Sequence, residues 1–216
     1  MIRKLSAEFL GTAMLLISVI GSGIMGVALA QGNDAITLLA NAIATGCMLF
    51  VIITVLGHIS GAHFNPAVSL AFALRGELPL TLFAGFVLAQ VAGAVAGVWA
   101  AHLMFDLPVL QVSQTIHRTG GAQWFSEALA TLGLLFAIFG GLRARPDAVP
   151  TLVALYITGA YWFTSSTSFA NPAVTFARGW SDTFAGISPD HIVMFVLVQF
   201  AAVFVGHVTL KALLDE

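Results

Sequence analysis

The chain has 216 residues, of which 8% are charged and 59% are hydrophobic, and its formal net charge is -2. A mean hydropathy of +0.97 excludes a soluble domain with a solvated surface and indicates a protein that lies in a lipid bilayer. The lack of a basic excess argues against nucleic-acid partners, and a single cysteine excludes an intramolecular disulfide or a cysteine-rich metal site.

Six apolar runs approach the length of about 20 residues that a membrane-spanning helix needs. They cover residues 5–29, 36–57, 79–104, 124–140, 150–163 and 189–214. Two further apolar stretches begin at Asn-Pro-Ala sequences and end near Arg75 and Arg178. Each has about ten residues and reaches roughly 15 Å, half of the bilayer core. The sequence therefore predicts an all-α membrane protein with six transmembrane helices and two re-entrant half-helices.

The first run resembles a cleaved signal peptide, because basic residues precede it and the sequence Ala-Leu-Ala follows at residues 28–30. The uncharged stretch 9–33 is nevertheless long enough to span a bilayer. Glu8 also recurs in a matching place in the second half of the chain, as described below. We therefore expect this segment to be part of the folded protein.

An even number of spans places both termini on one side of the membrane. That side would carry Arg3, Lys4, Arg75, Arg143, Arg145 and Lys211, and the opposite side would carry Arg118 and Arg178. Basic residues accumulate in cytoplasmic loops. This distribution predicts a multi-pass protein of the inner, or plasma, membrane with both termini in the cytoplasm and membrane lipid around it.

Three motifs occur twice and in the same order, which indicates an internal repeat. The pattern Glu-x-Leu-x-Thr-x-x-Leu-Leu begins at Glu8 and again at Glu127. Asn-Pro-Ala-Val precedes Ser69 and Thr175, and the sequences ending at Gln90 and Gln199 share Val-Leu-x-Gln. Three spans per half is an odd number, so the halves must be inverted. We predict one channel domain over residues 1–216, with repeats at approximately 1–106 and 120–216.

Each Asn-Pro-Ala sequence is a helix start, because proline costs no hydrogen bond in the first turn and asparagine is a favoured cap. The residues are Asn65, Pro66 and Ala67 in the first half and Asn171, Pro172 and Ala173 in the second. A helix that begins inside a membrane is tolerated where its backbone is buried in protein or lines a water-filled cavity. The positive ends of both helix dipoles would repel cations. The arrangement predicts a pore for neutral solutes.

The segments before the two turns are rich in small and polar residues and suit an extended backbone. We expect their carbonyl groups to form a ladder of acceptors along the pore, at Gly61, Ala62, His63, Phe64, Ser168, Phe169 and Ala170. Glu8 and Glu127 would be buried carboxylates that need partners. We expect them to bind backbone N–H groups of these segments, and a proton relay is the alternative role.

The run GHISGAHFNPAV at residues 57–68 resembles the aquaporins, also called major intrinsic proteins. The second Asn-Pro-Ala sequence, the Glu8 and Glu127 pair and the six spans extend this resemblance over the whole chain. It implies six full helices with two half-helices, one pore per subunit, passive flow and a homotetramer. We expect no cofactor and no metal site, and we expect the protein not to be an enzyme.

In that family, four positions form a selectivity filter outside the turns, and spacing from the two asparagines assigns them to Thr45, Gly159, Ser168 and Val174. Water channels usually carry an aromatic residue, a histidine and an arginine where this chain has Thr45, Gly159 and Val174. These replacements imply a wide filter for polyols such as glycerol and neutral metalloid hydroxides, with some water. The valine resembles the bacterial aquaglyceroporins associated with arsenic resistance, which conduct arsenous acid and methylated arsenicals.

Arg178 lies four residues after Val174, so on a helix it shares the face of Val174 about 6 Å further out. It could supply a positive charge at the outer mouth, or it could be a snorkelling residue at the lipid interface. Three other functions stay open. A water- or glycerol-selective aquaporin is the nearest, and a secondary transporter shares inverted repeats and broken helices. An enzyme is the least favoured, because no catalytic grouping is present.

Overall fold

The computed structural model describes residues 1–214 and contains eight α-helices, without a strand in that range. The helices are α1 (Ile2–Leu29), α2 (Asp34–Ser60), α3 (Pro66–Leu74), α4 (Leu80–Met104), α5 (Gly121–Ala144), α6 (Val149–Phe163), α7 (Pro172–Arg178) and α8 (Pro189–Leu214). A short 3-10 turn, Pro146–Ala148, directly precedes α6. The predicted all-helical architecture of six longer and two short helices is confirmed.

Five helices are long and apolar enough to cross a membrane on their own, namely α1, α2, α4, α5 and α8. The remaining longer helix, α6, has 15 residues and therefore measures about 22 Å. This is shorter than the roughly 30 Å of a bilayer core. The 3-10 turn before α6 and the irregular segment after it extend the chain in both directions.

The two short helices begin where the sequence predicts. Pro66 and Pro172 occupy their first turns, and the side chains of Asn65 and Asn171 cap them. Asn65 Oδ1 accepts from the N–H of Ala67 at 2.9 Å. Each asparagine has an extended backbone, which turns the preceding loop sharply into the helix.

The two halves interlock. In each half the first helix packs against the second and the last, so α1 contacts α2 and α4, and α5 contacts α6 and α8. A side chain at Gly93 or Gly97 of α4 would overlap the backbone of α1, so only glycine permits this close approach. Across the halves α2 packs against α6, and each short helix contacts both α4 and α8. This packing brings the two short helices together in the interior.

Candidate functional site

The two Asn-Pro-Ala turns are joined by reciprocal hydrogen bonds. Asn65 Nδ2 donates to the carbonyl of Ala170 at 2.7 Å, and Asn171 Nδ2 donates to the carbonyl of Phe64 at 2.8 Å. Each asparagine therefore uses Oδ1 to cap its own helix and Nδ2 to hold the loop of the other half. The first turn of each short helix is fixed by a contact more than 100 residues away in the chain.

Both loops before these turns repeat an unusual backbone conformation. The residues four, three and one positions before each asparagine have positive φ angles, between 46° and 95°. They are Gly61, Ala62 and Phe64 in the first loop and Thr167, Ser168 and Ala170 in the second. For a non-glycine residue this conformation costs about 1–3 kcal/mol and persists only when the surroundings hold it. Something in the protein must therefore clamp both loops.

Two buried carboxylates supply the clamps. Glu8 accepts from the backbone N–H of His63 at 3.0 Å and of Phe64 at 2.6 Å. Glu127 accepts from the backbone N–H of Phe169 at 2.8 Å and of Ala170 at 2.9 Å. Both glutamates have no exposed surface. Two charge-assisted bonds that the loop N–H groups donate to each carboxylate hold each strained loop against its own half of the protein.

The three repeated sequence motifs meet in space around each carboxylate. Gln90 donates through Nε2 to Glu8 at 2.8 Å and to the hydroxyl of Ser69 at 2.9 Å. Gln199 donates in the same way to Glu127 at 2.6 Å and to Thr175 at 2.9 Å. The repeat in the sequence thus marks a glutamate, a glutamine and a hydroxyl that form one network in each half. Sequence reasoning found the repeat but missed this role of the glutamines.

One cavity is lined by residues of both loops and of both halves of the chain. At one end it is lined by Leu142 and Val149, near the connection between α5 and α6, and at the other by Thr45 and Tyr161. Val149 and Tyr161 lie on the same helix, so this distance is about 18 Å. Both asparagines line the cavity between these ends. Within residues 1–214, no group of three or more His, Cys, Asp or Glu side chains could hold a metal ion.

The motif prolines have a different environment from the asparagines. Pro66 and Pro172 line an apolar groove between α4 and α8, outside the main cavity. Ala67 and Ala173 are fully buried. Within each Asn-Pro-Ala sequence, then, only the asparagine reaches the cavity, and the other two residues shape and pack the helix start.

Three of the four expected filter residues line the cavity, namely Thr45, Ser168 and Val174. The fourth assignment, Gly159, is wrong. A side chain there would point toward Phe163, a residue that is 66% exposed, so Gly159 lies on the outer side of α6. Tyr161 takes its place in the cavity wall, with its hydroxyl 3.2 Å from that of Thr45. A bulky aromatic side chain therefore stands where the spacing argument expected none.

The expected carbonyl ladder also needs a correction. Six of its seven residues line the cavity, but Ala170 does not. Its carbonyl and that of Phe64 accept the asparagine amides, which occupies both of these groups in the link between the two turns. Ser168 has a different feature, because its buried hydroxyl has no partner among the described residues.

Arg178 lies in the cavity wall with Val174 and is only 2% exposed. The snorkelling alternative is therefore wrong. Its Nε donates to the carbonyl of Ala185, and its guanidinium carbon lies 3.4 Å from the centre of the Phe169 ring. A guanidinium has five N–H groups, so the end of this side chain retains donor capacity on the cavity side.

The loop between α4 and α5 lies against the segment that follows α7, and Asp182 holds the two together. One carboxylate oxygen of Asp182 accepts from the N–H of Gln114 and of Thr115, both at 3.0 Å, and from the Thr115 hydroxyl at 2.7 Å. These bonds favour the ionised form and hold the pKa of Asp182 below its usual range. The loop is thus tied to the segment after α7 by a charge.

This tie should weaken in acid. Because the pKa of Asp182 is lowered by folding, its stabilising effect is present above the unfolded value of about 3.9 and is lost as the pH falls through the folded value. We expect the hydrogen-exchange protection factors of the Gln114 and Thr115 amides to fall toward pH 3. In Asp182→Ala they should be low at both pH 3 and pH 6. Protection that is equal at the two pH values in the unmodified protein would contradict this prediction.

Comparisons with known proteins agree with this geometry. Residues 1–164 match the family model described as major intrinsic protein. Aquaglyceroporin AqpS from Rhizobium meliloti (strain 1021) is 56% identical over 197 residues, which cover 91% of this chain and 84% of that protein. Aquaporin NIP1-1 from Arabidopsis thaliana is 41% identical over 106 residues, or 49% of this chain and 35% of that protein.

A solved structure shows the same fold. The X-ray structure of the aquaglyceroporin from Plasmodium falciparum superposes with a TM-score of 0.74, covering 99% of this chain and 98% of that one at 20% identity. The match extends over both short helices and all six longer ones. The chain therefore belongs to the major intrinsic protein family, whose members are membrane channels for small neutral solutes and not enzymes.

Proposed function

We propose that the protein is a passive channel for neutral hydroxylated solutes larger than water, such as glycerol and arsenous acid or methylated arsenicals, and that water also passes. The observation that carries this proposal is Val174, a short apolar side chain in the cavity wall three residues after Asn171. It leaves open space that a longer cationic side chain would fill. The name of the similar aquaglyceroporin AqpS agrees with a glycerol-sized substrate.

The constriction in this proposal is formed by Thr45, Tyr161, Ser168 and Val174, with Arg178 beside it. Tyr161 makes it narrower on one side than the sequence suggested. The cavity wall has an apolar part and a polar part. Aliphatic residues of α1, α2, α5 and α6 form the apolar part, and hydroxyls, amides and loop carbonyls form the polar part. A polyol or a metalloid hydroxide can place its hydroxyl groups on the polar track and its remaining surface on the apolar wall.

The two asparagines and the two glutamates have separate roles in this mechanism. Each asparagine amide has a second N–H besides the one that bridges the halves, and it can donate to a solute oxygen. Glu8 and Glu127 accept from the loops and hold the carbonyls in position. The half-helix dipoles repel cations, so neutral solutes are favoured. We also propose a homotetramer in the plasma membrane with cytoplasmic termini.

Stopped-flow light scattering with proteoliposomes tests the proposal. We expect water, glycerol and arsenous acid to enter at rates that rise linearly with their gradients. The matched control is Val174→Trp, which should obstruct the pore and return fluxes to those of protein-free liposomes. Saturable or ion-coupled uptake would instead indicate a secondary transporter, and flux of water alone would indicate a water-selective aquaporin.

A further inference from the structure

Arg118 lies in the loop between α4 and α5 and reaches into the protein toward the cavity wall. Its side chain donates hydrogen bonds to four acceptors on two segments that are distant in sequence. They are the carbonyl of Gly186 at 3.0 Å from Nε, the carbonyl of Ser166 at 3.4 Å and the hydroxyl of Thr167 at 3.3 Å from Nη1, and the carbonyl of Phe184 at 3.5 Å from Nη2.

These contacts surround the group that holds Arg178. The carbonyls of Phe184 and Gly186 flank Ala185, whose own carbonyl accepts from Arg178. The guanidinium of Arg118 also lies 5.1 Å from the centre of the Phe169 ring, over which Arg178 is stacked. Both arginines thus contact the same ring and the same three-residue segment. A displacement of either guanidinium would therefore alter the contacts of the other.

The second pore loop is held from the same side. Ser166 and Thr167, which Arg118 contacts, come directly before Ser168 and Phe169 in the cavity wall. Thr167 and Ser168 have positive φ angles, and Glu127 clamps only the residues that follow them. Arg118 therefore helps to hold the first part of this strained loop, together with the Ser126 hydroxyl, which accepts from the N–H of Ser166 at 3.4 Å.

The main chain of Arg118 is itself fixed. Its N–H donates to Nδ1 of His191 at 3.1 Å, and the nearby carbonyl of Ile116 accepts from Ser188 at 2.8 Å. His191 lies in the first turn of α8, which is a rigid support. Arg118 is thus held at its main-chain N–H by His191 and at its guanidinium by acceptors on two other segments.

We propose that Arg118 is a positioning residue for solute selectivity. It does not line the cavity, but it fixes Arg178 and the Ser168–Phe169 wall at one end of the pore and so sets the largest solute that passes. This inference rests on the proposed channel function. Arg118 can do this because its planar guanidinium donates from three separate nitrogens, Nε, Nη1 and Nη2, whereas a lysine ammonium has all its donors on one atom and cannot reproduce this spread of bonds.

The test is a size-graded series of water, urea, glycerol and erythritol in proteoliposomes. The quantity compared is the permeability of the largest solute that the unmodified protein excludes, divided by the permeability of water. In Arg118→Gln and Arg118→Lys we expect this ratio to rise about tenfold, which is the size of effect expected from the loss of one hydrogen bond to a charged group. The matched control is Arg145→Gln, because Arg145 is exposed and paired with Asp147 near the α5–α6 connection. Its ratio should stay unchanged.

A second pair of variants tests the anchor without changing Arg118. His191→Phe removes the acceptor and should raise the same ratio, whereas His191→Asn keeps an acceptor near the position of Nδ1 and should not. An unchanged ratio in Arg118→Lys and His191→Phe, or an equal fall of all permeabilities, would overturn the inference. Exclusion of glycerol by the unmodified protein would refute the proposed substrate instead, and the cut-off would still shift if Arg118 has this role.

Discussion

Replacing Val174 with arginine is expected to lower the glycerol permeability of the channel at least about tenfold, with a smaller effect on water. Val174 is 5% exposed and lines the cavity one helical turn from Arg178. The new side chain would fill the space beside Ser168 and place a second guanidinium close to the first. Crowding and added donors would both act against a solute larger than water.

Light scattering with glycerol, arsenous acid and water gradients measures this effect in one preparation. Val174→Met is the matched control, because it adds a chain of similar length without charge or donors. If the loss arises from bulk alone, methionine should reproduce it, and if charge contributes, arginine should have the larger effect. An arginine variant that passes glycerol and arsenous acid as well as the unmodified protein would refute the role of Val174 in the filter.

Replacing either buried glutamate with glutamine should destabilise the protein by several kcal/mol, and Glu8 should matter more than Glu127. Glu8 accepts from four groups, the hydroxyl of Ser60, two backbone N–H groups and Gln90, whereas Glu127 accepts from three. All of these partners donate, so each carboxyl group acts purely as an acceptor, as an ionised carboxylate does. Each bond to a charged group is worth about 1.5–3 kcal/mol.

Thermal unfolding in detergent and water flux in proteoliposomes measure the two consequences. We expect lower melting temperatures for both variants and reduced flux, because the strained loops lose their clamps. Glu77→Gln is the control, since Glu77 is a partly exposed acid whose partner is Arg75 at the protein surface. Melting temperatures within the error of the unmodified protein for Glu8→Gln would show that the loops are held by other contacts.

The fold could be predicted from the sequence because its signals are local. Runs without charge mark the long helices, and an asparagine followed by proline marks a helix start in a few residues. The paired glutamates were also predictable, because a carboxylate in an apolar run must find donors. The predicted run 150–163 agrees with α6, Val149–Phe163, to within one residue, although a 3-10 turn and an irregular loop flank this helix.

Residues of the candidate site were predictable only where regular structure carries the count. Thr45, Ser168 and Val174 lie on helices or close to Asn171, and they line the cavity. Gly159 was reached by counting back across the strained loop into α6. An error of two residues on a helix is a rotation of about 200°, which moves a side chain from the cavity to the opposite face. The residue that lines the cavity is therefore Tyr161, two positions after Gly159.

Arg118 could not have been found by spacing or composition. Its partners lie between 48 and 68 residues further along the chain, on loops whose course no local rule fixes. The one signal was its position on the side of the membrane that carries few basic residues. A basic residue on that side is a candidate for a buried role, but the sequence alone does not predict which groups accept its hydrogen bonds.

The reciprocal bonds between the two Asn-Pro-Ala turns have a consequence for biosynthesis. Asn65 and Phe64 enter the membrane early, yet their partners Ala170 and Asn171 are made about 105 residues later. Until then the Asn65 amide and the Phe64 carbonyl lack these partners, and burying them unpaired in an apolar setting would be unfavourable. The first loop therefore cannot reach its final conformation before the second half is made, and the centre of the pore is completed only when the second half has been inserted.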